Sequence, residues 1–387
     1  MLCEQSDRAS GIHKSYTGIF YRMHTVIQWK IPYIFGLILL LHIFTALLRI
    51  LRISYYFFIH EPSGSGKEVI HIMKLICAKN ELLKSVNISL KAVSSKTTMP
   101  ILECILIDAS ATEITFTSND MELGIETKVK GIIEEKGIVA LDAKLFSDII
   151  RKLPDSDVCI QTDTNLNTTI TCEKAKFTIP GKSGDDFAYL PVIERSEGIE
   201  ISQFTLKEVI RQTIFSIAAN ENNKLMTGEL FEMKENILKV VSLDGHRIAI
   251  RKIELKDNYP SRKVVVPGKT LNEISKILSG EVEDQVKIFF TDNHIVFEFD
   301  DTVVVSRLIE GEYFRIDQML SSDYETKVKI NKREFLDCID RATLFVKEGD
   351  KKPIIITIDD TGMQLNINSQ MGSMNEESIS IKKEKIL

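Results

Sequence analysis

The stretch SLDGHRIAIRK, residues 242–252, puts Asp244, His246, Arg247 and Arg251 within eight positions of one another. An aspartate two residues from an imidazole could orient it as a general base, and the guanidinium groups could hold an anion. Such a pair needs a nucleophile, and no serine or cysteine nearby sits at a recognisable elbow. The competing reading is a strand turn whose polar groups serve recognition. Six cysteines, Cys3, Cys77, Cys104, Cys159, Cys172 and Cys338, show neither C-x-x-C spacing nor a partner histidine cluster. That argues against a zinc site and a disulfide framework, and for a reducing compartment. The segment EPSGSGKE, residues 61–68, has Glu61 and Glu68 where a phosphate loop needs Gly and Ser or Thr. No catalytic residue, metal or cofactor is therefore expected.

The elements that carry these residues recur along the chain. NELLKSVNISLKAV from Asn80, KEVIRQTIFSIAAN from Lys207 and REFLDCIDRATLFV from Arg333 share one helical periodicity. Their glutamates, Glu81, Glu208 and Glu334, are 127 and 126 residues apart. Alternating strand pairs follow each helix, with Ser118, Ser242 and Ser369 at matching points. A second helix, Asp142–Leu153 in the first unit and Gly268–Ser279 in the second, precedes further hairpin-like strands. The pattern predicts an α+β fold of repeated units, each with two helices packed on antiparallel sheets. The third unit shows only its first half, so this reading expects a C-terminally incomplete chain. The domains read 73–198, 199–320 and 321–387, after a segment 1–72 of different character.

Segment 1–72 holds five of the seven histidines, the only tryptophan and an apolar run from Ile31 to Leu48. That run, 18 residues between Lys30 and Arg49, is close to the roughly 20 that span a bilayer. It is a membrane anchor or translated upstream sequence. The second is favoured, because Met73 opens a strand-like segment and Lys67–Val69 can be encoded by a ribosome-binding sequence.

Net charge is -6, yet the segments read as helices are neutral or basic, leaving the acidity to the remainder. A basic surface shared by repeats suits a polyanion touched without base reading. The helix lysines and arginines singled out are Lys84, Lys91, Arg151, Lys152, Arg211, Lys276 and Arg341.

The ordered elements MKLICAKNELL, TTMPILECILI, VVSLDGHRIAIRK, VVVPGKTLNEISKIL and SRLIEGEYF resemble the bacterial DNA polymerase III β sliding clamp family over residues 73–387. The resemblance implies a DNA clamp fold and a non-catalytic, cytoplasmic processivity factor that encircles duplex DNA as a head-to-tail homodimer ring. Its implied partners are double-stranded DNA, the replicative polymerase, the clamp loader and other proteins carrying short peptide motifs. It implies a partner-peptide pocket at Met226, Ser242, Gly245, His246, Arg247, Ile248 and Met319, adds the loop lysines Lys96 and Lys224 to the DNA contacts, and places Phe177, Ile179, Leu344 and Phe345 at the ring interface. Phe314 stands where the family usually has proline, which puts the Gln318–Met319 wall in question.

Overall fold

The computed structural model describes residues 73–94, 97–195, 198–219, 223–320, 326–346, 353–359, 362–379 and 381–385. The readings for residues 1–72 and for Lys96 lie outside these.

The first unit runs β1 (Met73–Ala78), α1 (Lys79–Ser89), β2 (Cys104–Asp108), β3 (Ile114–Asn119), β4 (Leu123–Val129), β5 (Ile132–Glu135), β6 (Ile138–Asp142), α2 (Ala143–Lys152), β7 (Asp157–Thr162), β8 (Asn167–Cys172) and β9 (Ala175–Lys182). The second runs β10 (Gly198–Ser202), α3 (Gln203–Thr213), β11 (Gly228–Leu243), β12 (Ile248–Pro267), α4 (Gly268–Ile277), β13 (Gln285–Phe290), β14 (His294–Phe299) and β15 (Thr302–Arg307). β11 and β12 form one long hairpin that does the work of two strand pairs in the first unit: Gly228–Met233 pairs as β2 does with β6, and Ile237–Leu243 as β3 does with β4.

Helices α2 and α3 are specified locally and then buried on one face. Asp142 caps α2 by accepting a hydrogen bond from the Leu145 N–H at 2.7 Å, and Phe146, Ile149 and Ile150 face inward at helical spacing. Ser202 caps α3 in the same way through Thr205 N–H, with Leu206, Val209 and Ile210 buried. The periodicity of α3 reads on past residue 216, but the helix stops at Thr213 and tightens to a 3-10 turn at Ile214–Ser216. The cause is tertiary: the Thr213 carbonyl accepts from the buried Ser242 hydroxyl at 2.6 Å. In the first unit the Ser118 hydroxyl donates to the Ser89 carbonyl, also at 2.6 Å, where α1 ends. Ser369 does not repeat this bond; its hydroxyl reaches Gly372 O within its own hairpin at 3.4 Å.

The strands of both units join edge to edge into a 13-stranded sheet through β4 and β15, with Thr302 opposite Thr127 and Ser306 opposite Leu123. The Thr127 and Thr302 hydroxyls meet at 3.0 Å inside that seam. One apolar core, including Phe116, Phe146 and Ile150, lies under α1 and α2. Another, including Phe231, Ile274 and Phe297, lies under α3 and α4 and takes in Leu123 and Ile125 from across the seam.

Beyond α5 (Ile316–Met319) come β16 (Thr326–Ile330), α6 (Lys332–Thr343), β17 (Ile355–Ile358), β18 (Met363–Ser369), β19 (Gly372–Ile379) and β20 (Ile381–Lys385). β16 pairs with β20 as β1 pairs with β5. Among the described residues the cluster beneath α6 centres on Cys338, Met363 and Leu365, and Ile355 and Ile356 of β17 are exposed. No described helix is long and apolar enough to cross a membrane.

Candidate functional site

The residues that first suggested chemistry lie in the tight turn between β11 and β12. Asp244 Oδ1 accepts from the backbone N–H groups of His246 at 3.0 Å and Arg247 at 3.1 Å, and Arg247 Nε donates to Asp244 Oδ2 at 2.8 Å. Gly245 takes φ +88°, the left-handed region that a glycine enters without strain. The bond from the His246 backbone, followed by that from the Arg247 side chain, holds the Asp244 carboxyl below its usual range. Asp244 is thus committed to shaping the turn. It engages the His246 backbone and not the imidazole, which leaves the acid/base pair without a geometry. His246 and Arg247 project into solvent, and the Arg247 guanidinium lies 5.8 Å from the centroid of the exposed Phe215 ring.

Beneath the turn is a separate apolar cluster. Leu230, Val241, Leu243, Val265, Tyr313 and Ile316 form its buried part, and Met226, Ile248 and Phe314 pack against it while keeping some exposure. Strand alternation decides which β11 residues contribute. Val241 and Leu243 point to this cluster, whereas Val240 points to the core under α3. Ser242 is fully buried on the helix side and bonded to Thr213, so its side chain does not line a pocket. Leu243, one position on, points to the apolar cluster instead and is itself buried within it. Met319, half exposed, ends the short α5, whose Ile316 anchors the segment in the cluster. A cleft of about 560 Å³ between this segment and the ribbon is lined by apolar Leu230, Val265, Ile309 and Phe314 and by charged Glu232, Lys239 and Lys263, but not by Met226, His246, Arg247, Ile248 or Met319. Sequence reasoning did not single out Leu243 and Tyr313 of the cluster or Phe215 beside the turn. The first was legible in the period-2 pattern; the other two come from segments distant in sequence.

Glu229 lies below this cluster on β11 with no exposed surface. Its Oε2 is 2.9 Å from Thr213 Oγ1, which is itself 2.8 Å from Val209 O, and Oε1 has no partner among the described residues. Thr213 has one hydroxyl proton and Val209 O can only accept. A protonated Glu229 satisfies the set by donating to Thr213, which donates to Val209. Burial pushes the Glu229 carboxyl up to about 8.

Most of the basic candidates share a position in their elements. Arg151, Lys152, Arg211, Lys276 and Arg341 fall in the last turn of a helix, where cations also complement the helix dipole, while Lys91 and Lys224 stand in short 3-10 turns. Lys224 stands in a 3-10 turn, not an open loop. Arg151, Arg211 and Lys276 each pair with the acid three residues earlier, Asp148, Glu208 and Glu273, at 3.2, 2.7 and 2.6 Å. Such solvent-screened pairs are weak and yield readily to a phosphate. Arg341 is held more firmly, with both faces of its fork on Glu376 of β19. Lys84, Lys91, Lys152 and Lys224 have no carboxylate partner among the described residues. Of the interface candidates, Phe177 and Leu344 are exposed and Phe345 partly so. Ile179 is 6 % exposed and belongs to the core under α1 and α2, so its side chain is structural before it is a contact.

Residues 73–191 match the family model "DNA polymerase III beta subunit, N-terminal domain", and residues 200–314 match "DNA polymerase III beta subunit, central domain". A beta sliding clamp of Staphylococcus aureus is 35% identical over 315 residues, 79% of this chain and 83% of that protein. A solved structure described as a DNA polymerase III beta subunit from Eubacterium rectale is 70% identical with a TM-score of 0.79, covering 81% of this chain and 86% of its own. The DNA polymerase sliding clamp of Bacillus subtilis gives 34% and 0.77, covering 82% and 86%. With two units fused through one sheet, a turn that shapes a surface instead of a catalytic pair, and these relatives, the chain belongs to the bacterial DNA polymerase III β sliding clamp family, whose members are non-catalytic processivity factors.

Proposed function

We propose that this clamp encircles duplex DNA as a head-to-tail homodimer and tethers the replicative polymerase, the clamp loader and other motif-bearing proteins through one apolar pocket. The observation that carries this is the cluster under the β11–β12 turn, where Met226 and Ile248 stay partly exposed over a buried apolar floor. A peptide seated there would meet apolar contact from Met226, Ile248 and Met319, and polar edges from His246 and Arg247. Two or three apolar side chains would contribute about 1.5–3 kcal/mol each before ordering costs, which fits micromolar affinity. Lys84, Lys91, Arg151, Lys152, Arg211, Lys224 and Lys276 supply phosphate contacts that carry no sequence information, as a sliding ring needs. The ring joint would use the β9 edge near Phe177 and the end of α6 at Leu344 and Phe345. β9 pairs with β6 only through Gly181 and Lys182, which leaves its earlier residues open on that side. The cytoplasm is the compartment proposed.

Fluorescence polarisation with a leucine- and phenylalanine-bearing peptide tests the pocket. Ile248→Asp is expected to weaken binding by roughly tenfold or more, equivalent to about 1.4 kcal/mol, and His246→Ala by less. Unchanged affinity in both variants would place the peptide elsewhere.

A further inference from the structure

The groove of the second unit has a counterpart in the first. Asp120 Oδ1 accepts from the N–H groups of Glu122 at 3.0 Å and Leu123 at 2.7 Å, the same turn that Asp244 makes. Met121 takes φ +75° where Gly245 takes +88°. The apolar patch beside it, with Leu106, Ala140 and Phe187, repeats Leu230, Val265 and Tyr313 at spacings of 124, 125 and 126 residues.

Two of the positions that differ act on the segment that leaves the first unit. Asn119 stands where the second unit has Leu243, and its Nδ2 donates to Ala188 O at 2.9 Å. A leucine there can make no such bond. Gly124 stands where the second unit has Ile248, and Leu190 Cδ2 lies 2.0 Å from where a Cβ on Gly124 would be. Leu190 therefore occupies the space that an isoleucine side chain would take. A cavity of about 250 Å³ is left beside it, bounded by Asn119, Met121, Tyr189 and His294.

We propose that the first unit holds a closed copy of the partner groove, with the chain's own Ala188–Pro191 as resident occupant. Asn119 pins that segment and Gly124 seats Leu190, where in the second unit Ile248 fills the same space with its own side chain. The segment has the chemistry of a ligand for such a groove, an aromatic, an aliphatic and a conformationally restricted residue in a row. This inference rests on reading the second-unit groove as the peptide site, but its first readout does not depend on peptide.

The test compares the full chain with Leu190→Gly and with the double variant Asn119→Leu/Gly124→Ile, after circular dichroism establishes folding. Limited trypsin cleavage after Arg195 is expected to quicken by roughly tenfold in either variant, because cleavage tracks the open population of the segment. In calorimetry, a peptide copying residues 186–193 is expected to add one equivalent per protomer with Leu190→Gly relative to the unaltered protein. Unchanged cleavage in both variants, whichever of them folds, would overturn the closed groove. Faster cleavage without an added equivalent would overturn the ligand-like role of the segment. If Ile248→Asp leaves partner-peptide binding intact while cleavage still quickens, it is the second-unit reading that has failed.

Discussion

At the scale of single residues, Glu229 is the group with the largest consequence outside the surface pocket. Folded, it keeps its proton up to about pH 8, while an exposed glutamate releases it near 4.3. Between those values unfolding releases a proton, so rising pH favours the unfolded state, with a slope approaching about 1.4 kcal/mol per pH unit. Stability from this group is complete below the unfolded value and is lost as pH rises through the folded one. Glu229→Gln removes the titration. The stability difference between the unaltered protein and this variant, measured by urea unfolding, is expected to shift against the unaltered protein from pH 4.5 to 8 and then level off. A difference independent of pH would show that Glu229 is already ionised in the fold.

At the scale of elements, the repeated serine-to-carbonyl bonds tie the end of a helix to the strand that leads into the turn. Ser242 links α3 to β11, and Ser118 links α1 to β3. Removing either donor takes one hydrogen bond from a carbonyl that also caps a 3-10 turn, at a cost of about 0.5–1.5 kcal/mol. Ser242→Ala and Ser118→Ala are each expected to lower unfolding stability by that amount in denaturant titrations. Ser242→Ala should also weaken peptide binding, because Thr213 leads directly into the turn carrying Phe215. Ser118→Ala should leave binding unchanged. A ΔΔG near zero for both would mean the carbonyls find water. Much of this was readable beforehand: the repeat spacing marked Ser118 and Ser242 as equivalent, and alternation along β11 could have directed attention to Leu243 as the residue facing the apolar cluster. The early end of α3 was not readable, because the group that stops it is supplied from β11, 29 residues on.

At the scale of the whole molecule, the third unit is the weak member. Its described cluster is small, and Ile355 is 59 % exposed on β17, so it should open at lower free energy than the fused sheet of the first two units. Hydrogen exchange is expected to show less protection in α6 and β17–β19 than in α2 and β13–β15; equal protection would contradict this. A ring predicts topology-dependent retention. Bound to circular duplex DNA, the protein should be lost when the circle is cut, and its DNA affinity should fall steeply with salt as phosphate contacts are screened. Equal retention on linear and circular DNA would refute encirclement.

By itself the sequence determined the class of local structure, the repeat and the resemblance, because hydrophobic period, capping residues and spacing are local properties of the chain. His246 and Arg247 were found through their turn, and the basic residues through their helices. The tertiary structure decided what those residues face. It turned Ser242 inward and left Ile248 partly exposed, gave Asp244 to the backbone, placed Ile179 in the core, and tied Arg341 to Glu376. It also set Leu190 on Gly124 and Asn119 on Ala188. These outcomes depend on groups from segments far apart in sequence competing for the same space and the same hydrogen bonds, and no local pattern along the chain records who wins.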